Sequence, residues 1–145
     1  MKISFLLWLA SILPQPAADQ VCLATTVYLE ARSESPIGQM AVAEVAMRRR
    51  ESGRWGNTVC DVVRAPRQFA LTTTKDSYSL QNPIAWNKAW TIAGRVIEMW
   101  SLPIDRRHLV VPNADHFVLA DSVSPGWIKG PPLTTIGAHN FYRVN

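Results

Sequence analysis

The chain has 145 residues, of which 48% are hydrophobic and 18% charged, and its formal net charge is +4. This length predicts one domain, and the composition excludes an intrinsically disordered, collagen-like, repeat or low-complexity chain. A charge of this size suits an anionic polymer or a membrane surface, but it is too diffuse to indicate a nucleic-acid-binding protein.

The first eighteen residues have the pattern of a secretory signal peptide. Lys2 precedes an apolar run over residues 3–13, and two small residues follow at Ala17 and Ala18. The run is shorter than the ~20 residues with which a helix spans a bilayer, so we predict membrane contact only during export to the periplasm or the cell wall. Pro16 makes the cleavage site imperfect. The alternative is an uncleaved anchor or a buried first helix.

The remaining residues, 19–145, are predicted to form a single domain that contains both cysteines, Cys22 and Cys60. Export would place these thiols in an oxidising compartment, so we predict a disulfide between them. The alternative is a pair of buried free thiols.

Helical signals cover the first two-thirds of this domain. Asp19 can cap the first helix, Gly53 is a typical helix stop, and two pairs are typical helix starts: Ser35 followed by Pro36, and Asn82 followed by Pro83. The arginines at 48–50 lie near the end of the second helix, where cations favour the helix dipole. The predicted helices cover residues 19–32, 36–52, 57–63 and 83–100.

The last third changes to short β-branched and aromatic runs separated by Pro, Gly and Asn. Residues 108–111, 116–119 and 136–142 are predicted to be strands. The fold class is therefore α+β, with a helical first two-thirds packed against a small antiparallel sheet.

Glu30 is the first candidate for catalysis. It lies late in the first helix, between the apolar residues Leu29 and Ala31. Burial disfavours the charged form of a carboxyl group and raises its pKa, so such a group can act as a general acid near neutrality. The alternative is an ordinary salt bridge with Arg32 or Arg48.

Glu34 does not have the position of a second catalytic carboxylate. Glycosidases with two carboxylates place them on opposite sides of the scissile bond, whereas residues one helical turn apart usually share one wall of a cleft. A mechanism with a single acid is therefore the better interpretation. The other possible partners have no supporting context: Asp61, Asp76, Asp105, Asp115 and Asp121.

The three histidines, His108, His116 and His139, lack the short and fixed spacings of a zinc motif. We therefore predict no metal and no cofactor. Some aromatic residues lie in loops or strand-like runs beside hydrogen-bonding residues, a pattern that suits a groove for stacking on sugar faces. These are Phe69, Phe117, Trp127, Phe141 and Tyr142. Core packing is the alternative for each of these aromatic residues.

Six sequence blocks follow one another along the chain. The first reads Tyr-Leu-Glu-Ala-Arg-Ser-Glu, and the six occupy residues 28–34, 38–45, 58–69, 115–117, 125–127 and 136–143. In this order they resemble the SleB/CwlJ-type cell-wall hydrolases, whose first block has the pattern Tyr-x-Glu-Ala-Arg-Gly-Glu. The chain departs from the family pattern at Ser33, where Gly is usual, at Arg48, where Asn is common, and at Ala70, where Ser is usual.

The resemblance implies a lysozyme-like α+β catalytic domain over residues 19–145 that cleaves the MurNAc–GlcNAc β-1,4 bond of peptidoglycan. It makes Glu30 the catalytic acid, and the same carboxylate can then take a proton from the muramoyl 6-hydroxyl. This is lytic transglycosylation, which yields a 1,6-anhydro product without a second carboxylate. The expected substrate groove consists of Gln68, Phe69, His116, Phe117, His139 and Tyr142.

Three alternatives remain open at this stage. A muramidase would activate water with a further carboxylate, a zinc amidase would cut the peptide stem, and a non-enzymatic module would only bind peptidoglycan. The expected partner is the glycan strand, with no nucleic acid, and we expect a monomer. A periplasmic remodelling enzyme and a phage endolysin with its own signal both fit the sequence.

Overall fold

The computed structural model describes all 145 residues as six helices, one 3₁₀ turn and a three-stranded sheet. The helices are α1 (Ile3–Ile12), α2 (Ala17–Ala31), α3 (Pro36–Ser52), α4 (Val59–Arg64), α5 (Ala70–Thr73) and α6 (Pro83–Trp100). The 3₁₀ turn is Ile104–Arg106, and the strands are β1 (His116–Leu119), β2 (Thr134–Ile136) and β3 (His139–Tyr142). The predicted α+β class, with helices first and a small sheet last, is confirmed.

Helix α2 is the central element of the fold. It packs against all five other helices, and residues on every side of it are buried, including Val21, Leu23, Val27 and Tyr28. A helix that is enclosed in this way has little freedom to move. Glu30, in its last turn, is therefore held in a fixed position.

Three of the predicted helix ends form as expected. The Ser35 side chain accepts a hydrogen bond from the Gly38 backbone N–H at 3.2 Å, and Asn82 accepts one from Ala85 at 3.0 Å. Gly53 follows α3 in the left-handed conformation, with φ 74°, which glycine adopts without steric cost.

The predicted cap at Asp19 is wrong, because α2 begins two residues earlier, at Ala17. The Asp19 side chain is buried instead. Its Oδ1 accepts a hydrogen bond from the Val59 backbone N–H at 2.9 Å, and its Oδ2 pairs with Arg50 at 3.1 Å. Asp19 therefore joins α2 to the start of α4 and to the end of α3.

Helix α1 contains most of the apolar run that resembles a signal peptide. It packs against α2 and buries Ile3, Leu6 and Ala10. Ala17 and Ala18, the small residues at the end of the predicted signal peptide, lie in the first turn of α2. No helix of this fold has both the length and the hydrophobicity required to cross a membrane.

The predicted disulfide between Cys22 and Cys60 is present. It connects α2 to α4, and its two Cα atoms are 5.3 Å apart. Neither cysteine is left as a free thiol.

The three strands form an antiparallel sheet in the order β1-β3-β2. Residues 136–142, predicted as one continuous strand, are divided between β2 and β3 by a tight turn. Gly137 makes this turn possible, because its φ of 56° lies in the left-handed region. In the register of the sheet, Phe117 is opposite Phe141 and His116 is opposite Tyr142.

The strand predicted at residues 108–111 does not form, and this segment is irregular. Its backbone is held by Glu44 of α3, whose two carboxylate oxygens accept hydrogen bonds from Val110 at 2.8 Å and from Val111 at 2.9 Å. Glu44 is buried. A side-chain carboxylate therefore satisfies the N–H groups that a neighbouring strand would otherwise pair.

Candidate active site

Glu30 is a largely enclosed carboxyl group at the carboxyl end of α2. It hydrogen bonds with the backbone of Ala70, the first residue of α5, and lies in the electrostatic field of Arg49 from α3. Burial raises the pKa of Glu30 to about 7, although the Ala70 hydrogen bond and the Arg49 charge both act to lower it. Near neutrality Glu30 therefore exists in both protonated and ionised forms, as a group that alternates between acid and base requires.

Arg49 is the cation of this site, and it is fixed on all sides. Its Nε donates to the Asp115 carbonyl at 2.8 Å, and its Nη1 donates to the Gln68 side chain at 3.0 Å. Its guanidinium lies 4.6 Å from the ring centre of Trp55 and 4.9 Å from that of Phe69. Burial lowers the pKa of Arg49 to about 10, so Arg49 remains charged at neutral pH. The arginine run at 48–50 indicates only an interaction with the helix dipole and not this role of Arg49.

The predicted groove residues come together as two clusters. In the cluster beside α5, Phe117 packs against Phe69 with ring centres 5.9 Å apart and meets His139 edge-on at 5.3 Å. Phe69 and His139 are buried, and Phe117 is partly exposed. Phe69 directly precedes Ala70, so this cluster is the one that adjoins Glu30.

The second cluster lies on the opposite face of the sheet, because neighbouring residues of a strand point to opposite faces. His116 lies 4.7 Å from Trp127 and 5.8 Å from Trp55 between ring centres, and Trp127 meets Tyr142 edge-on at 5.5 Å. Trp55 is not one of the predicted groove residues. Arg49 connects the two clusters, since it contacts both Trp55 and Phe69.

The two histidines of these clusters are neutral at pH 7. Burial lowers the pKa of His116 and of His139, although Asp115 and Glu34, respectively, act to raise them. Burial raises the pKa of Asp115, but hydrogen bonds from His116 and from the backbone outweigh it, so the net pKa is lowered. Glu30 is therefore the group of this site that exchanges a proton near neutrality.

Glu34 holds the β2–β3 turn against the end of α2. Its Oε1 accepts a hydrogen bond from the Ala138 backbone N–H at 2.8 Å and lies 3.1 Å from His139 Nδ1. A Cβ atom at Gly137 would lie 2.6 Å from the same oxygen. The carboxylate therefore has structural partners, and that Glu34 is not a second catalytic group stays a prediction.

We expect Glu34→Ala to destabilise the protein by about 1–3 kcal/mol, because it leaves the Ala138 N–H and the His139 ring without their shared acceptor. Urea unfolding at pH 7 measures this change. Glu98→Ala, at an exposed position of α6, is the matched control and should change the free energy of unfolding by less than about 0.5 kcal/mol. Equal effects of the two substitutions would contradict the assignment.

The raised pKa of Glu30 also makes stability depend on pH. Below pH 4.5, its ordinary pKa, the carboxyl is protonated in both the folded and the unfolded chain. Between pH 4.5 and 7 the unfolded chain loses this proton first, so the folded state loses about 3 kcal/mol of stability in total. We expect Glu30→Gln to be more stable than wild type by this amount at pH 8 and equally stable at pH 4. Urea unfolding at both values tests this, and a difference independent of pH would contradict the raised pKa.

Comparison with known proteins identifies the family. The model of the Cell Wall Hydrolase family matches residues 33–142, which is more than half of the chain. The chain belongs to this family. The match begins just after Glu30 and includes Glu34, Arg49 and all six predicted groove residues.

The relatives and solved structures are consistent with this membership. The spore cortex-lytic enzymes of Bacillus cereus and Oceanobacillus iheyensis are each 32% identical over 126 residues, or 86% of this chain. The alignment covers 44% and 41% of those proteins, so the chain spans less than half the length of the curated relatives that it matches.

Two catalytic domains have the same fold. The crystal structure of the Bacillus cereus SleB catalytic domain has a TM-score of 0.67 and 29% identity, over 86% of this chain and 89% of that one. The catalytic domain of the germination-specific lytic transglycosylase SleB from Bacillus anthracis has a TM-score of 0.68 and 28% identity, over 90% of this chain and 100% of that one. The expected SleB-type membership and lysozyme-like α+β fold are confirmed.

Proposed function

We propose that this chain is a lytic transglycosylase that cleaves the MurNAc–GlcNAc β-1,4 bond of peptidoglycan. The observation that carries the proposal is Glu30, a carboxyl group with a pKa of about 7 that is fixed at the end of a buried helix beside Arg49. Family membership supports the substrate class, and the Bacillus anthracis relative is described as a lytic transglycosylase.

Glu30 performs both proton transfers in this reaction. Protonated Glu30 donates to the glycosidic oxygen while the bond from that oxygen to the muramoyl C1 breaks, which leaves an oxocarbenium-like centre. The ionised carboxylate then takes the proton of the muramoyl 6-hydroxyl as its oxygen bonds to C1 and closes the anhydro ring. The carboxyl group is regenerated, and no water or second carboxylate takes part.

Arg49 makes the two roles of Glu30 compatible. When Glu30 gives up its proton, the guanidinium stabilises the carboxylate that forms in a largely enclosed site. The hydrogen bonds of Arg49 to Asp115 and Gln68 keep the charge in place. The substrate contacts the exposed parts of the groove, namely Gln68 and the edges of Phe117 and Trp127. Phe69, His116, His139 and Tyr142 are buried and support these surfaces from behind.

The ends of the released fragments test the proposal directly. The full chain is incubated with purified peptidoglycan, and mass spectrometry identifies the soluble products. Anhydro-muramoyl ends are expected. Reducing muramic acid ends, one water heavier, would show a hydrolytic muramidase instead. Free peptides with intact glycan would show an amidase, and no release of fragments would leave a peptidoglycan-binding module.

We further propose that the chain acts outside the cytoplasm, because the Cys22–Cys60 disulfide requires an oxidising compartment. A periplasmic remodelling enzyme and a phage endolysin would both work there, as a monomer on glycan strands. Removal of residues 1–18 remains a prediction, and N-terminal sequencing of the exported protein tests it. A start at Asp19 would confirm the signal peptide, whereas a start at Met1 would show that α1 remains part of the fold.

A further inference from the structure

A cavity of about 390 Å³ adjoins the Glu30 site through Arg49. Trp55, which stacks on Arg49, also lines it, and three more arginines complete its basic wall. We call this cavity the arginine pocket and define it by Arg48, Arg49, Arg54, Arg143 and Trp55. Arg49 thus faces Glu30 and the arginine pocket at the same time.

The guanidinium groups of the arginine pocket form no ion pairs. Elsewhere in the fold, Arg50 forms an ion pair with Asp19 at 3.1 Å. In the pocket, Arg48 donates from Nη1 to a backbone carbonyl, while its Nη2 is buried and has no hydrogen-bond partner. Arg143 bonds only to a neutral asparagine side chain, and the exposed Arg54 guanidinium forms no hydrogen bond or ion pair. Several N–H donors therefore remain available to one ligand.

The Asp115 carboxylate beside these arginines does not form an ion pair with them. Asp115 also lines the cavity, but its Oδ1 accepts from His116 Nδ1 at 2.9 Å and from the Val144 backbone at 2.8 Å, and its Oδ2 accepts from the Asn145 backbone at 2.9 Å. None of the four arginines forms an ion pair, and the Asp115 oxygens are already engaged. Glu30 acts on Arg49, and Glu44 and Glu51 act on Arg48, only through their electrostatic fields. Arginines without an ion-pair partner favour the binding of an anion, most strongly where they are buried, as Arg49 is.

We propose that the arginine pocket binds a carboxylate of the peptide stem attached to the muramoyl residue. This assignment rests on the proposed function, because the stem is a part of the peptidoglycan that Glu30 would cleave. Guanidinium groups bind carboxylates through two parallel hydrogen bonds, and Trp55 offers an apolar wall to the stem side chains. An extended stem of four residues spans up to ~13 Å. This length suffices for a stem on a muramoyl residue at Glu30 to extend past the Arg49 side chain and reach the pocket.

Two substrates distinguish stem binding at this subsite from cleavage of the glycan. They are glycan strands that carry peptide stems, and the same strands after enzymatic removal of the stems. We expect wild type to have a higher kcat/KM on strands with stems. Arg54→Gln and Arg143→Gln should each reduce the ratio of the two kcat/KM values by about tenfold, because the loss of one charge-assisted hydrogen bond weakens binding by about this factor. The change should appear in KM. Arg64→Gln, an exposed arginine of α4 outside the pocket, is the matched control and should keep the wild-type ratio.

Binding of a soluble stem peptide, measured by calorimetry, is independent of cleavage. Wild type should bind the free tetrapeptide and lose most of this affinity when the peptide carboxylates are amidated. Arg143→Gln should reduce the affinity for the unmodified peptide to a similar extent. If neither glycan is cleaved but the peptide binds in this way, the transglycosylase proposal fails and the subsite stands. An unchanged ratio in both pocket variants, or equal binding of the amidated peptide, would overturn the subsite.

Discussion

Glu30→Gln is expected to lower the rate of fragment release from peptidoglycan by about 10²–10⁴-fold, the usual contribution of general acid–base catalysis. The substituted amide has the shape of the carboxyl group and can still accept the hydrogen bond from the Ala70 backbone. It can neither give a proton to the glycosidic oxygen nor take one from the 6-hydroxyl. The initial rate of soluble muropeptide release, at equal protein concentrations, measures the effect.

The matched control for this measurement is Glu98→Gln, which makes the same chemical change at an exposed position of α6 and should retain the wild-type rate. Circular dichroism of both variants shows whether the fold is preserved. A folded Glu30→Gln protein that releases fragments at the wild-type rate would remove Glu30 from the mechanism. The Asp residues of the chain would then be the next candidates.

Replacement of both Cys22 and Cys60 by Ala is expected to cost about 4 kcal/mol of stability. The disulfide closes a loop with a sequence separation of 38 residues, and a loop of this size loses about that much conformational entropy in the unfolded chain when it is closed. The bond also holds α4 against α2, beside the contact between Asp19 and Val59. Urea unfolding of the oxidised protein at pH 7 measures the change.

Reduction provides the control for the disulfide prediction. A thiol reductant should lower the stability of wild type to nearly that of the double-alanine variant and should leave the variant unchanged. If the free energy of unfolding of the variant is less than about 1 kcal/mol below that of oxidised wild type, the bond does not stabilise the fold to the extent that its loop length predicts.

Stability and activity oppose each other at Glu30. Enclosure of an ionisable group raises the pKa of Glu30 to about 7, and the same enclosure destabilises the folded chain at neutral pH. Glu30→Gln should therefore produce an inactive protein that is more stable than wild type above pH 7. A gain in stability together with a loss of activity is typical of a functional group held in an unfavourable environment.

Local signals in the sequence were sufficient for the features that depend on near neighbours. Ser35, Gly53 and Asn82 end or begin helices through contacts within a few residues, so their spacing predicts the structure directly. The burial of Glu30 was also predictable, because the residues on both sides of it in the helix are apolar. The order of the six blocks is sufficient to indicate the family.

Only the tertiary structure decided the features that depend on distant residues. Asp19 binds a backbone group 40 positions away, and Glu34 holds a turn 104 positions away. The local sequence pattern around these two residues does not indicate either partner. The arginine run at 48–50 gave no indication that Arg49 would face Glu30 while Arg50 paired with Asp19. Side chains one residue apart on a helix point about 100° apart, so the packing of α3 against its neighbours determined which arginine entered the site.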